Sequence, residues 1–290
     1  MMKSIVQMFL AVFVVLLSLG LTSHPLAASG PSIVFVGGTG AGNFSSIQEA
    51  VAAVSSGGLV VISPGVFHEQ LLLNKSVELR GSGQNLTVIN GSRQGNVVTV
   101  AADGVTIRDL TIQGSGLQFP DTGLLVWANG THVLQVTSTE NFYGAILWWG
   151  SSGAVFESDH IFANHRCGIY FPHSSGNRIQ GNLITDNPIN GCGLYEDSNH
   201  NTIVNNTFAR NGYCGVNIRD SSDTRLLGNR FEANMIAVHL PPPMFGTVME
   251  QNVFVGNTQD VQEELDAFMV SGLAFAGFVL LGLVWFWRRI

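Results

Sequence analysis

The sequence predicts an all-β solenoid, a parallel β-helix with a short helix over its N-terminal end and a transmembrane helix after its last coil. Three observations carry the solenoid. Segments starting at Phe156, Ile179, Ile203, Leu226 and Met249 align without gaps, and their closing Asn column runs Asn141, Asn164, Asn187, Asn211, Asn234, Asn257 in steps of 23, 23, 24, 23 and 23 residues. Two apolar columns keep that step: the segment starts themselves, and Ile161, Ile184, Phe208, Phe231 and Phe254 five residues later. Only 11% of the 290 residues are charged and 34 are glycine, where an average domain is about 25% charged.

A period in the low twenties marks stacked units, each too small to bury its own apolar side. Leucine-rich repeats share the period, but their Leu consensus and helical return are missing. Short β-branched and aromatic runs between Gly, Asn and Ser read as strands wound into coils about 4.8 Å apart. Asn side chains stacked at that spacing can bond to each other and to the turn backbone, and Asn tolerates the left-handed conformation. The Asn column, with a second one at Asp159, Asn182, Asn206, Asn229 and Asn252, is therefore read as a structural ladder.

In chain order, residues 1–28 carry one lysine, Lys3, an apolar run and then small residues, the grammar of a secretory signal that is either cleaved or kept as an anchor. The β-helix domain is expected over residues 29–262, in about nine coils. A strand at 33–36 precedes a helix over 46–54, where Ser46 is a candidate N-cap and Glu49 completes a capping box. Such a helix would cover the open end and its unpaired strand edges. Short strands follow at 59–62, 66–69, 71–73, 77–79 and 87–89. Residues 267–287 contain no charge and suit one membrane span, and the tail at 288–290 carries Arg288 and Arg289, which favour the cytoplasmic side. A single-pass protein of the cell membrane follows, with its body extracellular or periplasmic. The net charge of -7 and the lack of a basic cluster argue against a nucleic-acid partner.

One strand per coil can be followed through Gly123, Gly144, Gly168, Gly193, Gly215 and Ala237, with the first and third residues after each pointing inward and the second and fourth outward. The outward set gathers Trp127, Trp148, Tyr170, Tyr195, Asn217, Arg219 and His239, with Trp149 and His173 at its border. Flat rings stack on sugar faces while polar tips hold hydroxyls, so this set is the candidate substrate-binding surface for a polysaccharide or cell-surface glycan. The competing reading is that the rings shield backbone or pack under a loop.

Counting back from the second Asn column stacks His173, Asp197 and Asp220 on successive coils, with Glu196 and Arg219 beside them. Two carboxylates one coil apart repel, so one of them is expected to hold its proton, which gives candidate acid/base residues. The bland alternative is a polar turn. The stack leaves calcium open as a cofactor. No metal site is assigned: Cys167, Cys192 and Cys214 precede the strand Gly of three successive coils, form at most one disulfide, and have neither a CxxC spacing nor a neighbouring His.

Residues 46–51, 59–69 and 76–81, followed by the Gly-Ile, Ser-Ser, Gly-Asn and Asn repeats, resemble the right-handed β-helix, pectin-lyase-like superfamily. Within it, residues 33–260 are similar to the carbohydrate-binding and sugar-hydrolysis repeat proteins that include the NosD maturation factors. The resemblance implies a single right-handed solenoid and leaves activity open. Neither the paired aspartates and arginine of pectin methylesterases nor the clustered calcium carboxylates of pectate lyases can be placed here. Copper, which NosD suggests, is not supported, because the histidines are scattered and Met235, Met244 and Met249 form no Met-rich motif. The expected function is a surface-anchored β-helix that binds a polysaccharide and processes it if catalytic. A non-catalytic assembly factor and a purely structural solenoid are the alternatives.

Overall fold

Alternating apolar residues make each strand one-sided, and one-sided strands that wind in parallel bury their apolar sides around a common axis. The computed structural model describes residues 30–38, 43–240 and 246–263. The expected signal at 1–28 and the apolar stretch at 267–287 lie outside the described residues, and no helix among the described residues is long and apolar enough to cross a membrane.

Each full coil gives a strand to each of three faces, and every pairing is parallel. The first face runs from Ile33–Val36 through Gly58–Ile62 to Val248–Glu250, and the second from Gly65–His68 through Thr87–Asn90 to Val253–Val255. Thr106–Gln113 and His132–Thr139 bend round the corner and serve both, which joins these faces into one 18-stranded sheet. The third face has nine strands, from Leu71–Leu73 to Gln259–Glu263.

The two apolar columns do face the axis. Phe156, Ile179, Ile203 and Leu226 are buried in register, as are Ile161, Ile184, Phe208 and Phe231. The rings of Phe208, Phe231 and Phe254 stack at 5.3 and 5.4 Å, with interplanar angles of 10° and 11°.

The Asn ladders lie at the corners. Asn141, Asn164, Asn187 and Asn211 each donate a backbone N–H to the Oδ1 of the Asn one coil on, at 3.0–3.3 Å. Contrary to the sequence expectation, the Asn is not the left-handed residue. That conformation falls on the residue before it, at Ala163, Asp186, Arg210 and Ala233 in one column and at Ser158, Gly181, Asn205 and Gly228 in the other. The turn then aims the Asn side chain inward, along the stack.

At the N-terminal end the helix spans Ile47–Ala53 and buries Ile47, Ala50 and Val51 on the first coils. Ser46 caps it by accepting from the Glu49 N–H at 3.3 Å. The anion at its N-terminus comes from the next coil, where the Glu69 carboxylate accepts from the Ile47 and Gln48 N–H groups at 2.8 and 3.0 Å. Lys75 donates to the carbonyls of Ala52 and Val54 at the other end. One acid and one base thus complement the helix dipole from a neighbouring coil.

Candidate functional site

The outer side of the third face carries two rows of side chains. Register pairs Leu125, Ile146, Tyr170, Gly193, Asn217 and His239 in one row. Two residues later in each coil come Trp127, Trp148, Pro172, Tyr195 and Arg219. This corrects the frame read from sequence, because Gly191, not Gly193, continues the glycine column. A Cβ on Gly191 would lie 2.7 Å from the Gly215 carbonyl and 2.7 Å from the Phe208 ring. Gly193 is small for another reason, since a Cβ there would lie 2.5 Å from the Tyr195 ring that folds over it.

That fold-over lets Tyr143, Tyr170 and Tyr195 form a staircase with centroids 5.3 Å apart at each step. The loop after Gln113 brings Phe119 to 6.2 Å from Tyr143 and 5.7 Å from Trp148. Leu125, Tyr143, Ile146 and Cys167 are buried beneath as a second apolar cluster, outside the main core. Much of the expected binding stripe therefore packs on itself. Burial, then the Glu196 charge, pushes the Tyr170 phenol up to about 12, and burial raises Tyr195 further. Both stay neutral hydroxyls, and Tyr195 accepts from Asn190 Nδ2 at 2.9 Å.

Open ring faces belong to other residues. Trp127, Trp149 and Phe119 are 59%, 63% and 58% exposed, while Trp148, Tyr170 and Tyr195 are half-buried. Asn217 and His239 point outward as expected but are 7% and 4% exposed and bond to each other at 2.9 Å, so neither is presented to solvent. Phe119, Phe142 and Tyr143 were not among the residues singled out from sequence. Tyr143 stands immediately before the strand glycine Gly144 and pairs with Thr122; the register sets Ile146 beside Tyr170, so the Tyr143–Tyr170 contact is made by the rings and not by strand pairing.

Beside the rings runs a charged rim. Strand register through Pro172, Tyr195 and Arg219 sets Glu196 level with His173 and Asp220 and makes Asp197 the extra residue of its coil, yet His173, Asp197 and Asp220 share the left-handed conformation, with φ of 51°, 63° and 51°. Each precedes one member of a serine ladder, in which the Ser174 N–H donates to Ser198 Oγ at 3.0 Å and the Ser198 N–H to Ser221 Oγ at 3.1 Å. His173 Nε2 lies 3.2 Å from a Glu196 oxygen, Arg219 Nε 3.8 Å from an Asp220 oxygen, and the His173 ring 5.0 Å from Trp149. Glu196, Asp197, Arg219 and Asp220 are exposed. Among the described residues, no three His, Cys, Asp or Glu side chains are grouped to hold a metal ion.

The cysteines do not stack as one column. Cys192 pairs with Ile169 and Val216 and faces the core, whereas Cys214 pairs with Asn190 and Cys167 stands one coil earlier on the opposite side of the sheet wall from Cys192. All three are free and buried. Burial pushes Cys167 up to about 11 and Cys214 up to about 12, and it raises Cys192 as well. Protonated thiols on two sides of a wall are not a soft-metal cluster.

Comparison with known proteins agrees with this geometry. A cell surface glycoprotein of Methanothermus fervidus is 28% identical over 249 residues, covering 73% of this chain and 42% of that protein. The chain spans less than half the length of the curated relatives it matches. Among solved structures, pectate lyase Pel9A matches with a TM-score of 0.56 at 16% identity, covering 82% of this chain and 71% of that one. The alginate lyase of Paenibacillus sp. str. FPU-7 matches with a TM-score of 0.59 at 15% identity, covering 75% of this chain and 95% of the lyase. At such identities the likeness shows the fold, the right-handed parallel β-helix of the pectin-lyase-like superfamily. The model of one family extends over residues 78–268, from the first-face strand Val77–Arg80 past the last coil. By that match the chain belongs to the family described as periplasmic copper-binding protein (NosD).

Proposed function

We propose that the outer wall of the third face binds a neutral glycan laid along the solenoid axis. The observation that carries this is the row Trp127, Trp148, Pro172, Tyr195, Arg219, one backbone position per coil, with Trp127 and Arg219 exposed at its two ends, Trp148 and Tyr195 half-buried and Pro172 buried between them. It extends over four strand spacings, about 19 Å, the length of a short oligosaccharide. Exposed rings at Trp127, Phe119 and Trp149 offer faces for sugar C–H groups, while the tyrosine hydroxyls and the rim offer hydrogen bonds. Glu196, Asp197 and Asp220 outnumber Arg219 and His173 on that rim. Together with a net charge of -7 this repels a polyanion, and the rim groups no three metal-ligating side chains that would bridge one through a cation. The pectate and alginate lyases of similar shape support polysaccharide as the ligand class, while the preference for a neutral one rests on the charge of the rim, since the substrates in those names are polyanions.

His173, Glu196, Asp197, Arg219 and Asp220 serve in this reading as hydrogen-bonding groups at the edge of the bound chain. The body lies outside the cytoplasm, in keeping with the surface glycoprotein relative and the family's periplasmic description. Residues 1–28 direct export and residues 267–287 anchor the chain. The family description names copper, but among the described residues no cysteines and histidines converge on a shared ligand set, so copper is assigned no role in this function. A second reading, assembly of a partner protein, rests on the family membership alone.

Titrating the full chain with neutral and acidic polysaccharides, while following tryptophan fluorescence and chain length, tests the proposal. Saturable quenching by a neutral glycan, with affinity weakened in Trp149→Ala, is the expected result. Silence across the whole panel, with a dedicated protein recovered in pull-downs, would replace glycan binding by the assembly reading. Shortening of the polymer that stops in Asp197→Asn would add catalysis at the rim.

A further inference from the structure

Asp159 occupies a ladder position that the following coils fill with asparagine. Its backbone N–H donates to Asn182 Oδ1 at 2.8 Å, and its Oδ1 accepts from the Val136 N–H at 2.7 Å, as an Asn there would. The other side-chain atom is where the acid differs. In the next four coils Nδ2 donates to a first-face carbonyl one coil back, from Asn182 to Phe156, Asn206 to Ile179, Asn229 to Ile203 and Asn252 to Leu226, at 2.8–3.0 Å. It also donates to the Oδ1 of the next Asn, from Asn182 to Asn206, Asn206 to Asn229 and Asn229 to Asn252, at 3.0–3.1 Å.

For Asp159 the equivalent carbonyl is that of Val133, which pairs with Phe156, and the equivalent Oδ1 is that of Asn182. Both are acceptors. A carboxylate Oδ2 would face two oxygens while buried, and this atom has no hydrogen-bond partner among the described residues. We infer that Asp159 is held as a neutral carboxylic acid whose Oδ2–H takes the place of the asparagine N–H, making this coil a proton-dependent joint in the ladder.

The surroundings agree. Asp159 is 2% exposed, and burial sets its carboxyl well above the usual carboxylate range, with the backbone amides of Val136 and Glu157 offsetting part and the Glu157 charge adding to it. Glu157 is the charged neighbour on its own segment and sits 3.5 Å from His132 of the coil before. His160, on the strand that follows, stacks on Phe162 at 4.2 Å, and its own charge is disfavoured by burial. A cavity of about 10 Å³ borders Asp159, and its remaining lining is apolar apart from Ser138 and backbone. That volume is at the lower limit for one water, and its lining offers few polar partners, so an ionised carboxylate there would be poorly solvated.

The sign of the linkage follows. An unfolded Asp titrates near pH 3.9, and the folded one higher, so its contribution is complete below the unfolded value and is lost as pH rises toward the folded one. Urea unfolding of the full chain and of Asp159→Asn, measured at intervals from about pH 5 to about pH 9, reads this directly. The midpoint difference between variant and parent should grow steadily with pH in favour of the variant, which keeps the donor at every pH. A difference that stays constant would overturn the inference. If the variant fails to fold, isotope-edited infrared spectra of the parent at neutral pH decide instead. A protonated-carboxyl band from a buried aspartate supports the joint, and ionised carboxylates alone refute it.

Discussion

From Asn141 to Asn234 each coil closes its corner on a buried asparagine, and Asn257 continues the ladder half-buried, whereas the earlier coils close theirs on hydroxyls and amides placed case by case. Thr87 Oγ1 donates to the carbonyls of Ile62 and Ser63 at 3.3 and 3.0 Å, Ser82 Oγ donates to Ile62 at 2.9 Å, and Gln70 Nε2 donates to Gly91 at 3.1 Å. The strands on both sides of this divide pair in the same way, Leu79 with Ile107 as Phe156 with Ile179. The comparison teaches that the fold requires a satisfied corner and a filled column, not a particular residue. Repetition adds something different: each Asn is both donor and acceptor for its neighbours, so a loss in one coil is felt in two.

The largest effect should come from the columns. Phe208 and Phe231 are fully buried and stacked, and truncating either to Ala is expected to cost about 3–5 kcal/mol. Chemical denaturation measures it, and a change below about 1 kcal/mol would mean that the column relaxes around the gap.

Next comes the ladder. Asn187 Oδ1 accepts from the Asn164 backbone and Nδ2, and its own Nδ2 donates to Ile161, Thr185 and Asn211, all at 3.0–3.2 Å. Asn187→Ala strands several buried groups at about 1–3 kcal/mol each before relaxation, so a net loss of about 2–3 kcal/mol is expected. Hydrogen exchange should accelerate in the coils of both Asn164 and Asn211. Protection lost in one coil alone would break the idea that the ladder couples neighbours.

The N-terminal clamp should respond more weakly. Glu69→Gln removes the charge that faces the helix N-terminus, a contribution of about 0.5–1 kcal/mol. The loss should shrink in high salt and leave the laddered coils unaffected. A salt-independent loss would assign Glu69 a packing role.

How much was legible in the sequence follows the same divide. The Asn and apolar columns were readable because every member meets a copy of itself at a fixed step, so geometry imprints a period. The third face's outer wall was readable only as a list of outward residues. Which of them stay open depends on Phe119, carried by a loop that belongs to no repeat, and on Tyr195 folding over Gly193. In Gly191-Cys-Gly193 two glycines offer two frames, and the strand register that sets Cys192 opposite Ile169 and Val216 separates them. Asp159 appeared in its column as an ordinary substitute for Asn, since a proton leaves no trace in the letters.

The smallest structural effect, and the sharpest functional one, belongs to the exposed rings. Trp127 leaves the third face in a coil before the ladder begins and Trp149 in a laddered one, and neither contributes to the main core. If corners and columns hold the solenoid in both regions, Trp127→Ala and Trp149→Ala should each change stability by less than about 0.5 kcal/mol, the usual range for surface sites. Each open ring offers about 0.5–1.5 kcal/mol to a stacked partner beyond its buried area, so the double variant should lose about tenfold or more in glycan affinity. Trp148→Ala supplies the contrast, because its half-buried ring packs on Phe119 and against the second apolar cluster. It should lower stability as well as binding, and measuring both quantities on the three variants separates a wall that holds a ligand from one that only shields strands. Unchanged affinity in the Trp127/Trp149 double variant, with a glycan still bound by the parent, would move the binding surface off the third face while leaving the solenoid argument intact.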